Sequence, residues 1–439
     1  MNRRELLAAV AAISLAPGAR ALAQSGDLKT AARDAWLFAL PLIEMAAARV
    51  RMTAGAQRVG DRFQGFVHAR KLATPDNHAI TTPNNDTLYS NAWVDLSKGP
   101  ATLTIPASGE RYLSVAVMDM YTDNVAVLGT RTIGGGGGTF KLVGPGQAGG
   151  GPDVVRVTTP QAWLLARTLV DGEADLAAAH AVQDGIKLTG AATLAPAFAP
   201  RNAAWDAFFA AAADLIGQNP PRAEDRAAFR RMAPLGLTET GGFDPKRFDA
   251  AAAAQIEAGI AEAKAALLAG FARGVFIDGW SYPQADLGFF GQDYGYRAAV
   301  ALGGLAALTP VEAMYMRAQG DNGRGIYTGD GLYRLSLPGK LPVDAFWSLT
   351  MYEATADGQF FLTENPINRY AIGDRTPGLK VGADGALDIW IGRRDPGGER
   401  TANWLPAPAK GPFALTLRAY LPRREMLTGR YRLPPIVEA

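Results

Sequence analysis

The spacing of apolar residues changes several times along the chain, and the first segment has the period of a helix. Residues 27–54 place Trp36, Leu40 and Ile43 at three- and four-residue intervals, which brings them to one side of a helix. Pro41 lies inside this segment and lacks a backbone N–H, so it is expected to kink the helix. We therefore predict a kinked helix at the beginning of the folded chain.

Residues 87–158 change to a period of two. Alternating positions recur in LYSNAWVDL, ATLTIP, RYLSVAVMD, NVAVLGT, TFKLVG and VVRVTT, and alternation is typical of half-buried strands. Proline and glycine lie between these segments, where turns are needed. The pattern predicts short antiparallel strands.

The middle of the chain is rich in alanine and returns to a helical period. Residues 160–275 include QAWLLARTLV, NAAWDAFFAAAADLIGQN, AEDRAAFRRMA and PKRFDAAAAAQIEAGIAEAKAALLAGFARG, all of which we interpret as helical. A glycine-rich connector with many aromatic residues follows, and it ends in another helix near residues 299–308. From residue 311 onward, GLYRLSL, DAFWSLTMYE, ALDIWIG and FALTLRAYL again read as strands.

This order of elements predicts an α+β fold, with two antiparallel β-sandwich or jelly-roll-like domains and an alanine-rich helical region between them. The expected division is a leader at 1–23, an N-terminal domain with its leading helix at 27–160, the helical region and connector at 161–310, and a C-terminal domain at 311–439.

Composition and charge narrow the classes of partner. Hydrophobic residues make up 48% of the 439 residues, as in folded globular proteins. Lysine and arginine number 44 against 42 acidic residues, with no basic stripe, so we expect no nucleic-acid partner. Cysteine is absent from the sequence, which excludes disulfides and thiolate chemistry.

The first 23 residues have the pattern of an export signal. Arg3 and Arg4 precede a short apolar run, and Ala21 and Ala23 suit cleavage after residue 23. The paired arginines resemble a twin-arginine signal, with Sec export as the alternative. No later segment reaches transmembrane length without charges, so the sequence predicts a soluble periplasmic or secreted protein with no stable membrane insertion.

The segment TPNNDTLYSNAWVDL, residues 82–96, concentrates amides, a carboxylate and aromatic rings. Asn84, Asn85 and Asp86 precede a predicted strand, where such side chains often stabilise a turn through their own backbone. The same loop could also direct Asp86, with Tyr89 and Trp93, into a ligand cleft, and the two interpretations are compatible.

Further carboxylates follow the predicted strand that ends at Asp119, with Asp123 four residues later. Together with Asp86 and Glu44 they could form a two-carboxylate glycosidase site or a site for a hard metal ion, and the separation of the carboxyl groups decides between such arrangements. The alternative is that Asp119 and Asp123 pair with Arg111 or Arg131 at strand ends.

Other motifs of catalysis and metal binding are missing from the sequence. It contains three histidines, no H-E-x-x-H and no G-x-S-x-G, so a histidine zinc site or an α/β-hydrolase elbow is not expected. We predict no metal site. Arg369 and Arg418, in strand-like surroundings, could clamp an anionic ligand or pair with a neighbouring carboxylate.

The long motifs of both β regions resemble bacterial proteins that pair two families of unknown function, numbered 1254 and 1214. In the N-terminal half the resemblance rests on PLIEM, TPNNDTLYSNAWVDL and RYLSVAVMDMYTDNVAVLGTR, and in the C-terminal half on DAFWSLTMYE, NPINRYAIGD, TANWLPAP and FALTLRAYLP. It implies two tightly associated β-sandwich or jelly-roll-like domains, frequent oligomerisation and no obligate organic cofactor. It identifies no catalytic residue.

Two hypotheses of function follow. The first is an exported hydrolase or lyase-like enzyme that acts on a small polar or sugar-like substrate by acid-base chemistry, with Asp86, Tyr89, Asp119 and Asp123 as catalytic candidates. The second is a non-catalytic periplasmic protein for ligand binding or assembly. In this second hypothesis a cleft lined by Trp93, Tyr112 and Trp404 holds the ligand. The candidate ligand-binding residues are Asn84, Asn85, Trp93, Tyr112, Arg131, Arg369 and Trp404.

Overall fold

The computed structural model describes residues 17–53, 57–59, 62–78, 81–190, 192–193, 200–272, 275–356 and 359–439. Residues 1–16, which contain the paired arginines of the predicted export signal, lie outside these ranges. The first helix begins at Pro17, so the predicted cleavage after Ala23 would fall within its first two turns.

Eight α-helices are described, and in chain order their bounds are α1 Pro17–Thr53, α2 Thr130–Ile133, α3 Leu176–Gly185, α4 Trp205–Gln218, α5 Arg226–Met232, α6 Ala250–Ala272, α7 Tyr294–Gly303 and α8 Arg424–Leu427. The described strands are β1 Gln57–Val59, β2 Arg62–Gln64, β3 Val67–His68, β4 Thr87–Asp95, β5 Ala101–Ile105, β6 Leu113–Asp119, β7 Asn124–Gly129, β8 Gly138–Val143, β9 Val154–Arg156, β10 Gln161–Leu169, β11 Lys187–Thr189, β12 Ala313–Arg317, β13 Tyr333–Leu337, β14 Trp347–Ala354, β15 Phe360–Phe361, β16 Ala371–Gly373, β17 Leu387–Gly392, β18 Trp404–Pro406, β19 Phe413–Tyr420 and β20 Val437–Glu438. The chain is thus an α+β protein whose sheets are largely antiparallel, as the sequence predicts at this level.

The first sheet has the strand order β3-β4-β10-β6-β7 and the second the order β11-β5-β8-β9. The two sheets pack face to face around a core that includes Val94, Leu103, Val117, Leu142 and Leu164. The opposite face of the first sheet is also covered, because helices pack against Trp93, Trp163 and Met118 near one end of its strands. The first sheet is therefore buried on both faces.

Strand β10 corrects one prediction. QAWLLARTLV has a helical interpretation from its sequence, yet residues 161–169 form the central strand of the first sheet, between β4 and β6. Every residue of β10 is buried. A strand covered on both faces shows no alternation of polar and apolar residues, which is the physical reason why the helical interpretation is wrong.

Helix α1 is the centre of the helical layer. It continues through Pro41 to Thr53, and from Leu28 onward its residues are buried nearly all around between the first sheet and helices α4, α5, α6 and α7. Phe38 contacts the rings of Tyr121, Phe229 and Tyr294, which come from the sheet end, α5 and α7. Aromatic side chains bury a large apolar area, so these contacts hold the helices onto the sheet.

The C-terminal region repeats the face-to-face arrangement. The third sheet has the order β12-β19-β14-β15 with β16 paired to β14, and the fourth has the order β18-β17-β13-β20. Their shared core includes Met316, Leu335, Leu349, Ile389 and Leu417. The four C-terminal segments predicted as strands are confirmed as parts of β13, β14, β17 and β19.

The first and third sheets meet through their outer faces. Tyr112, beside β6, packs edge-on against Phe346 and Tyr420 of the third sheet, and the rings of Phe346 and Tyr420 stack with centroids 4.1 Å apart. A polar group that is buried beside such apolar packing is unfavourable unless it forms a hydrogen bond. Polar residues do collect beside this contact, and they form the candidate site.

Candidate functional site

Sheet register brings an arginine and a tyrosine together on the outer face of the first sheet. Arg167 of β10 lies opposite Tyr89 of β4 on one side and opposite Ser114 of β6 on the other. Directly opposed residues of antiparallel strands point to the same face. The guanidinium of Arg167 lies over the Tyr89 ring, 5.3 Å from its centroid.

The third sheet presents a matching row. Arg418 of β19 lies opposite Tyr315 of β12 and Ser348 of β14, so these three side chains share the outer face that meets the first sheet. Arg418 donates from Nη1 to Thr350 Oγ1 at 2.9 Å and from Nη2 to the carbonyl of Thr82 at 3.1 Å. One buried arginine thus comes from each β region.

Arg167 is buried without a countercharge. The residue is 4% exposed, its Nη2 donates to the carbonyl of Ala306 at 2.8 Å, and its Nη1 has no hydrogen-bond partner among the described residues. Within the described ranges, no carboxylate forms an ion pair with Arg167 or Arg418. A buried charge without a partner is unfavourable by several kcal/mol, on the order of the cost of an ion taken out of water.

Asp86 is a carboxylate that interacts electrostatically with Arg418. Its Oδ2 accepts a hydrogen bond from Ser348 Oγ at 2.7 Å. Burial raises the pKa of Asp86 above its ordinary value, and the Arg418 charge and the Ser348 hydrogen bond oppose that rise. Since Asp86 comes from the N-terminal half and Ser348 from the C-terminal half, this hydrogen bond joins the two β regions.

The loop before β4 is built as a turn and also enters the site, which confirms the turn interpretation. Asn84 Oδ1 accepts from the backbone N–H groups of Asp86 and Thr87, while Asn84 Nδ2 donates to Tyr420 Oη at 2.6 Å. Thr82 has a left-handed backbone with φ of 50°, uncommon for a β-branched residue. Its N–H donates to the carbonyl of Phe360 in β15, which holds the strained loop against the third sheet.

We call the set formed by Asp86, Tyr89, Arg167, Tyr315, Arg418 and Tyr420 the arginine–tyrosine cluster. Asp86, Tyr89 and Tyr315 are half-buried and keep accessible surface, while both arginines and Tyr420 are buried. Burial raises the pKa of Tyr420, and the negative charge of Asp86 raises it further while Arg418 lowers it. The cluster is a polar and basic surface between two sheets.

Tyr112 and Arg131, both predicted to bind a ligand, contact a residue that the sequence alone did not single out. Glu312, which is 1% exposed, accepts from Tyr112 Oη at 2.9 Å and from Arg131 Nε at 2.6 Å. The Glu312 charge is therefore already compensated by Arg131. This contact borders the cluster and links the two β regions.

Asp119 and Asp123 do not join the cluster. Asp119 pairs in register with Ala162, seven residues along β10 from Leu169, which pairs with Thr87 beside Asp86. At roughly 3.3 Å per residue the two ends of the sheet are about 23 Å apart. The predicted group of four catalytic residues is thus divided, and only Asp86 and Tyr89 lie in the cluster.

The partners of these acidic residues also differ from the alternative prediction. Asp123 Oδ2 contacts Arg222 Nη1 at 2.6 Å and Arg297 Nη2 at 3.4 Å. Arg111 pairs instead with Asp175, and Arg131 with Glu312, so the predicted pairing with Arg111 or Arg131 is wrong. The reason is that Arg111 and Arg131 belong to the other end of the sheet.

The remaining predicted ligand-binding residues lie outside the cluster. Trp93 stacks on Trp163 under α1, with centroids 5.2 Å apart, and Trp404 donates from Nε1 to the carbonyl of Gly392 in the fourth sheet. Arg369 donates to the carbonyls of Ala402 and Trp404, and Asn85 to the carbonyl of Ala73. Each of these contacts stabilises local structure.

The sequence alone did not predict a role for Arg167, Glu312, Tyr315 or Ser348. Arg167 is a single charged residue in an apolar run, and a lone arginine in a buried strand is a signal that could have been noted. Tyr315 and Ser348 alternate with core residues in β12 and β14, but only the pairing to Arg418 reveals their shared face.

The described residues contain no metal-binding group, and the groove beside α1 is separate from the cluster. Among the described residues, no group of three or more histidine or acidic side chains could hold a metal ion. A separate surface groove of about 230 Å³ lies beside α1, lined among others by Asp34, Phe38, Arg231 and Tyr294. Asp34 already pairs there with Arg33 and Arg231, and Asp293 accepts a hydrogen bond from the N–H of Tyr296 in the first turn of α7.

The fold and the cluster define an α+β protein whose two β regions enclose a basic polar site. Residues 63–190 match the family described as "Protein of unknown function (DUF1254)", and residues 312–424 match "Protein of unknown function (DUF1214)". The chain belongs to the proteins that pair these two families, in the N- to C-terminal order predicted. Asp86, Tyr89 and Arg167 lie in the first matched region, and Tyr315 and Arg418 in the second.

The solved structures that are similar to the chain include two bacterial proteins. The crystal structure of the VPA0106 protein from Vibrio parahaemolyticus has a TM-score of 0.69 at 21% identity, and the alignment covers 94% of this chain and 100% of that one. An uncharacterized protein from Burkholderia cenocepacia has a TM-score of 0.45 at 13% identity, covering 96% and 97%. The first similarity supports the fold alone. No curated protein matches the chain.

Proposed function

We propose that the chain is an exported protein that binds a small anionic molecule at the arginine–tyrosine cluster, between two jelly-roll-like β regions. The observation that carries the proposal is Arg167, a buried cation with an unpartnered Nη1 and no carboxylate beside it among the described residues. An anionic ligand group would supply the missing countercharge. Guanidinium groups suit this task because their planar donors can bind a carboxylate through two hydrogen bonds.

The charges around the cluster support an anion rather than a cation. Arg418 interacts electrostatically with Asp86, whereas Arg167 has no carboxylate beside it among the described residues. Of the other carboxylates, Glu312 already pairs with Arg131, and the exposed Asp374 interacts with Arg375. Tyr89 and Tyr315 add phenol hydroxyls that can donate to the same anion. The surface therefore carries an excess of positive charge and of hydrogen-bond donors.

An acid-base enzyme is the second candidate, favoured by Asp86. Burial raises the pKa of this carboxyl, and a carboxyl with a raised pKa can hold and transfer a proton nearer to neutral pH. Asp86 and Tyr89 would then act on the bound molecule as acid and base. Because Asp119 and Asp123 lie about 23 Å away along the sheet, a mechanism with two neighbouring carboxylates has no support.

Thermal-shift measurements test ligand binding, since a ligand that binds only the folded state raises Tm. The mature protein would be screened against carboxylates, phosphate, sulfate and neutral sugars, together with Arg167→Met and the exposed control Arg394→Met, which removes the same charge. We expect carboxylates to raise Tm in the wild type and in Arg394→Met but not in Arg167→Met. Without ligand, Arg167→Met should be at least as stable as the wild type, because an uncompensated buried charge is removed.

A wild-type Tm that no anion raises, or a shift that persists unchanged in Arg167→Met, would contradict the binding proposal. Turnover of any ligand found would be followed by mass spectrometry. Turnover that is lost in Asp86→Asn while binding remains would favour the enzyme.

Export is tested separately with the full-length chain. None of the described helices is long and apolar enough to cross a bilayer. Twin-arginine signals do not tolerate replacement of both arginines, so Arg3→Lys/Arg4→Lys should leave the protein in the cytoplasm. Export of this double variant at the wild-type level would indicate the Sec route, and absence of the wild-type protein from the periplasm and medium would contradict export.

A further inference from the structure

We infer that the ligand is a small hydroxycarboxylic acid with a single negative charge, whose carboxylate binds Arg167 and whose hydroxyl donates to Asp86. This inference rests on the proposed binding function and specifies the chemical class of the ligand. Two observations support it: the net charge of the arginine–tyrosine cluster, and the unused hydrogen-bonding groups at its two ends, which are Arg167 and Asp86.

The charge count favours a monoanion. Arg167 and Arg418 contribute +2 and ionised Asp86 contributes −1, which leaves +1, because Glu312 is paired with Arg131 and the exposed Asp374 interacts with the neighbouring Arg375. A monocarboxylate neutralises this remainder. A dicarboxylate would bring one charge too many, and a zwitterionic amino acid would leave the remainder uncompensated.

The Arg167 end of the cluster is suited to a carboxylate. Among the described residues, Nη1 of Arg167 has no partner, and Tyr89 forms no hydrogen bond through its hydroxyl. Tyr315 Oη accepts from the N–H of Leu308 at 3.4 Å, which leaves the phenol proton free to donate. Guanidinium and phenol donors that converge on one place are complementary to an anionic acceptor.

The Asp86 end is suited to a hydrogen-bond donor. Oδ2 of Asp86 accepts from Ser348, while Oδ1 has no hydrogen bond to a described residue. The side chain is half-buried, so Oδ1 can be reached by a ligand. A carboxylate oxygen binds donors only, and of the common donors a hydroxyl leaves the charge count unchanged.

The two ends are close enough for a small molecule. Val170, three residues along the chain from Arg167, donates its backbone N–H to the carbonyl of Asp86 at 3.0 Å. At roughly 3.3 Å per residue, the backbones of Arg167 and Asp86 are about 10 Å apart. The expected ligand is a compact acid that reaches from the guanidinium of Arg167 to Oδ1 of Asp86.

Isothermal titration calorimetry tests the inference with sets of matched length. Unbranched carboxylates of three to six carbons would each be compared with their 2-hydroxy and 3-hydroxy derivatives, the corresponding amino acid and the corresponding dicarboxylate. Propionate, lactate, 3-hydroxypropionate, alanine and malonate form the three-carbon set. A hydroxy acid should bind at least about tenfold more tightly than the plain acid of equal length, as expected for one hydrogen bond to a charged group.

Two variants locate the groups responsible. Asp86→Asn should reduce the ratio of the two affinities to about one or two, because the charged acceptor is lost, whereas Arg394→Met should preserve the wild-type ratio. Arg167→Met should weaken all carboxylates. If Asp86→Asn does not fold, the affinities of the wild type for the plain and hydroxy acids test the inference on their own.

The outcomes separate the inference from the function on which it rests. Equal affinity for plain and hydroxy acids, or tightest binding of a dicarboxylate or amino acid, would overturn the inference and leave anion binding in place. A preference for hydroxy acids that survives in Asp86→Asn would also overturn it. Failure of every anion to bind the wild type would overturn the proposed function itself.

Discussion

Replacing Asp123 by asparagine tests whether this carboxylate is structural or catalytic. Asp123 lies in the turn after β6, where its Oδ1 accepts from the N–H of Phe290 at 2.9 Å and its Oδ2 contacts Arg222 and Arg297. Asp123 and Arg297 have no accessible surface. The asparagine side chain would keep the shape of the aspartate but remove the charge that both arginines share.

The expected effect is large because one partner of a buried ionic group is removed. Arg297 already has two unpartnered nitrogens, Nε and Nη1, among the described residues, and would lose its contact with Asp123 as well. Breaking a buried ion pair from one side destabilises a protein by about 3–5 kcal/mol. We therefore expect the free energy of unfolding of Asp123→Asn to fall by this amount.

Urea denaturation followed by tryptophan fluorescence measures the change, with Asp344→Asn as the matched control. Asp344 pairs with Arg423 at 2.6 Å, but these side chains are 61% and 57% exposed, so its loss should lower the free energy of unfolding by about 1 kcal/mol or less. Equal effects of the two variants would refute the reasoning. Ligand affinity at the arginine–tyrosine cluster should be unchanged in Asp123→Asn molecules that remain folded.

Three further predictions concern stability. Burial, and then the neighbouring Asp123 charge, raises the pKa of Asp119 from 3.8 to about 6, so its folded state binds a proton that the unfolded state has lost between these values. The stability that Asp119 contributes is thus fully present below pH 3.8 and is lost as the pH rises through 6. Relative to Asp119→Asn, the wild type should lose up to about 3 kcal/mol of unfolding free energy between pH 4 and pH 7. A constant difference between the two proteins across this range would contradict the assignment. Gly129→Ala would place its Cβ 2.0 Å from the carbonyl oxygen of Leu113, so we expect urea denaturation to show a free energy of unfolding lower by about 1–3 kcal/mol or more. Gly136→Ala, with open space at its Cβ, should have little effect. Similar losses in the two variants would contradict this steric account. Glu312→Gln should lower the unfolding free energy by about 1–3 kcal/mol, because the buried side chain no longer compensates the Arg131 charge, and an unchanged urea midpoint would exclude Glu312 as a link between the β regions.

The sequence predicts β4 and β6 as strands and misses β10, although β6 is buried along its whole length as β10 is. Strand β6 contains the β-branched Val115 and Val117, which favour a strand, whereas β10 is rich in alanine and leucine. The segment of β4 alternates between the two faces of its sheet, and its pattern is readable without any knowledge of neighbours. In β10 both faces are buried, so the local pattern cannot distinguish a strand from a buried helix. The pairing with β4 and β6 decides its structure, and that pairing is a property of the folded chain.

The candidate site was also predictable only in part, because the local sequence does not reveal partners from distant segments. Asn84, Asp86 and Tyr89 were predictable because they form a dense polar run next to a strand. Their partners Arg418 and Ser348 lie more than 260 positions later, and nothing in the local sequence relates them to Asp86. Asp119 and Asp123 are close to Asp86 along the chain, yet a seven-residue strand places them at the opposite end of the sheet.

The loop of residues 81–86 has a consequence for how such a chain can change during evolution. Within it, Thr81, Thr82, Pro83, Asn84 and Asp86 all make hydrogen bonds to the C-terminal region. A recombination event that joined this N-terminal region to an unrelated C-terminal region would leave all these groups without partners at once. The two regions should therefore be inherited as a unit, and fragments divided at an exposed connection between them should recover their structure only when produced together.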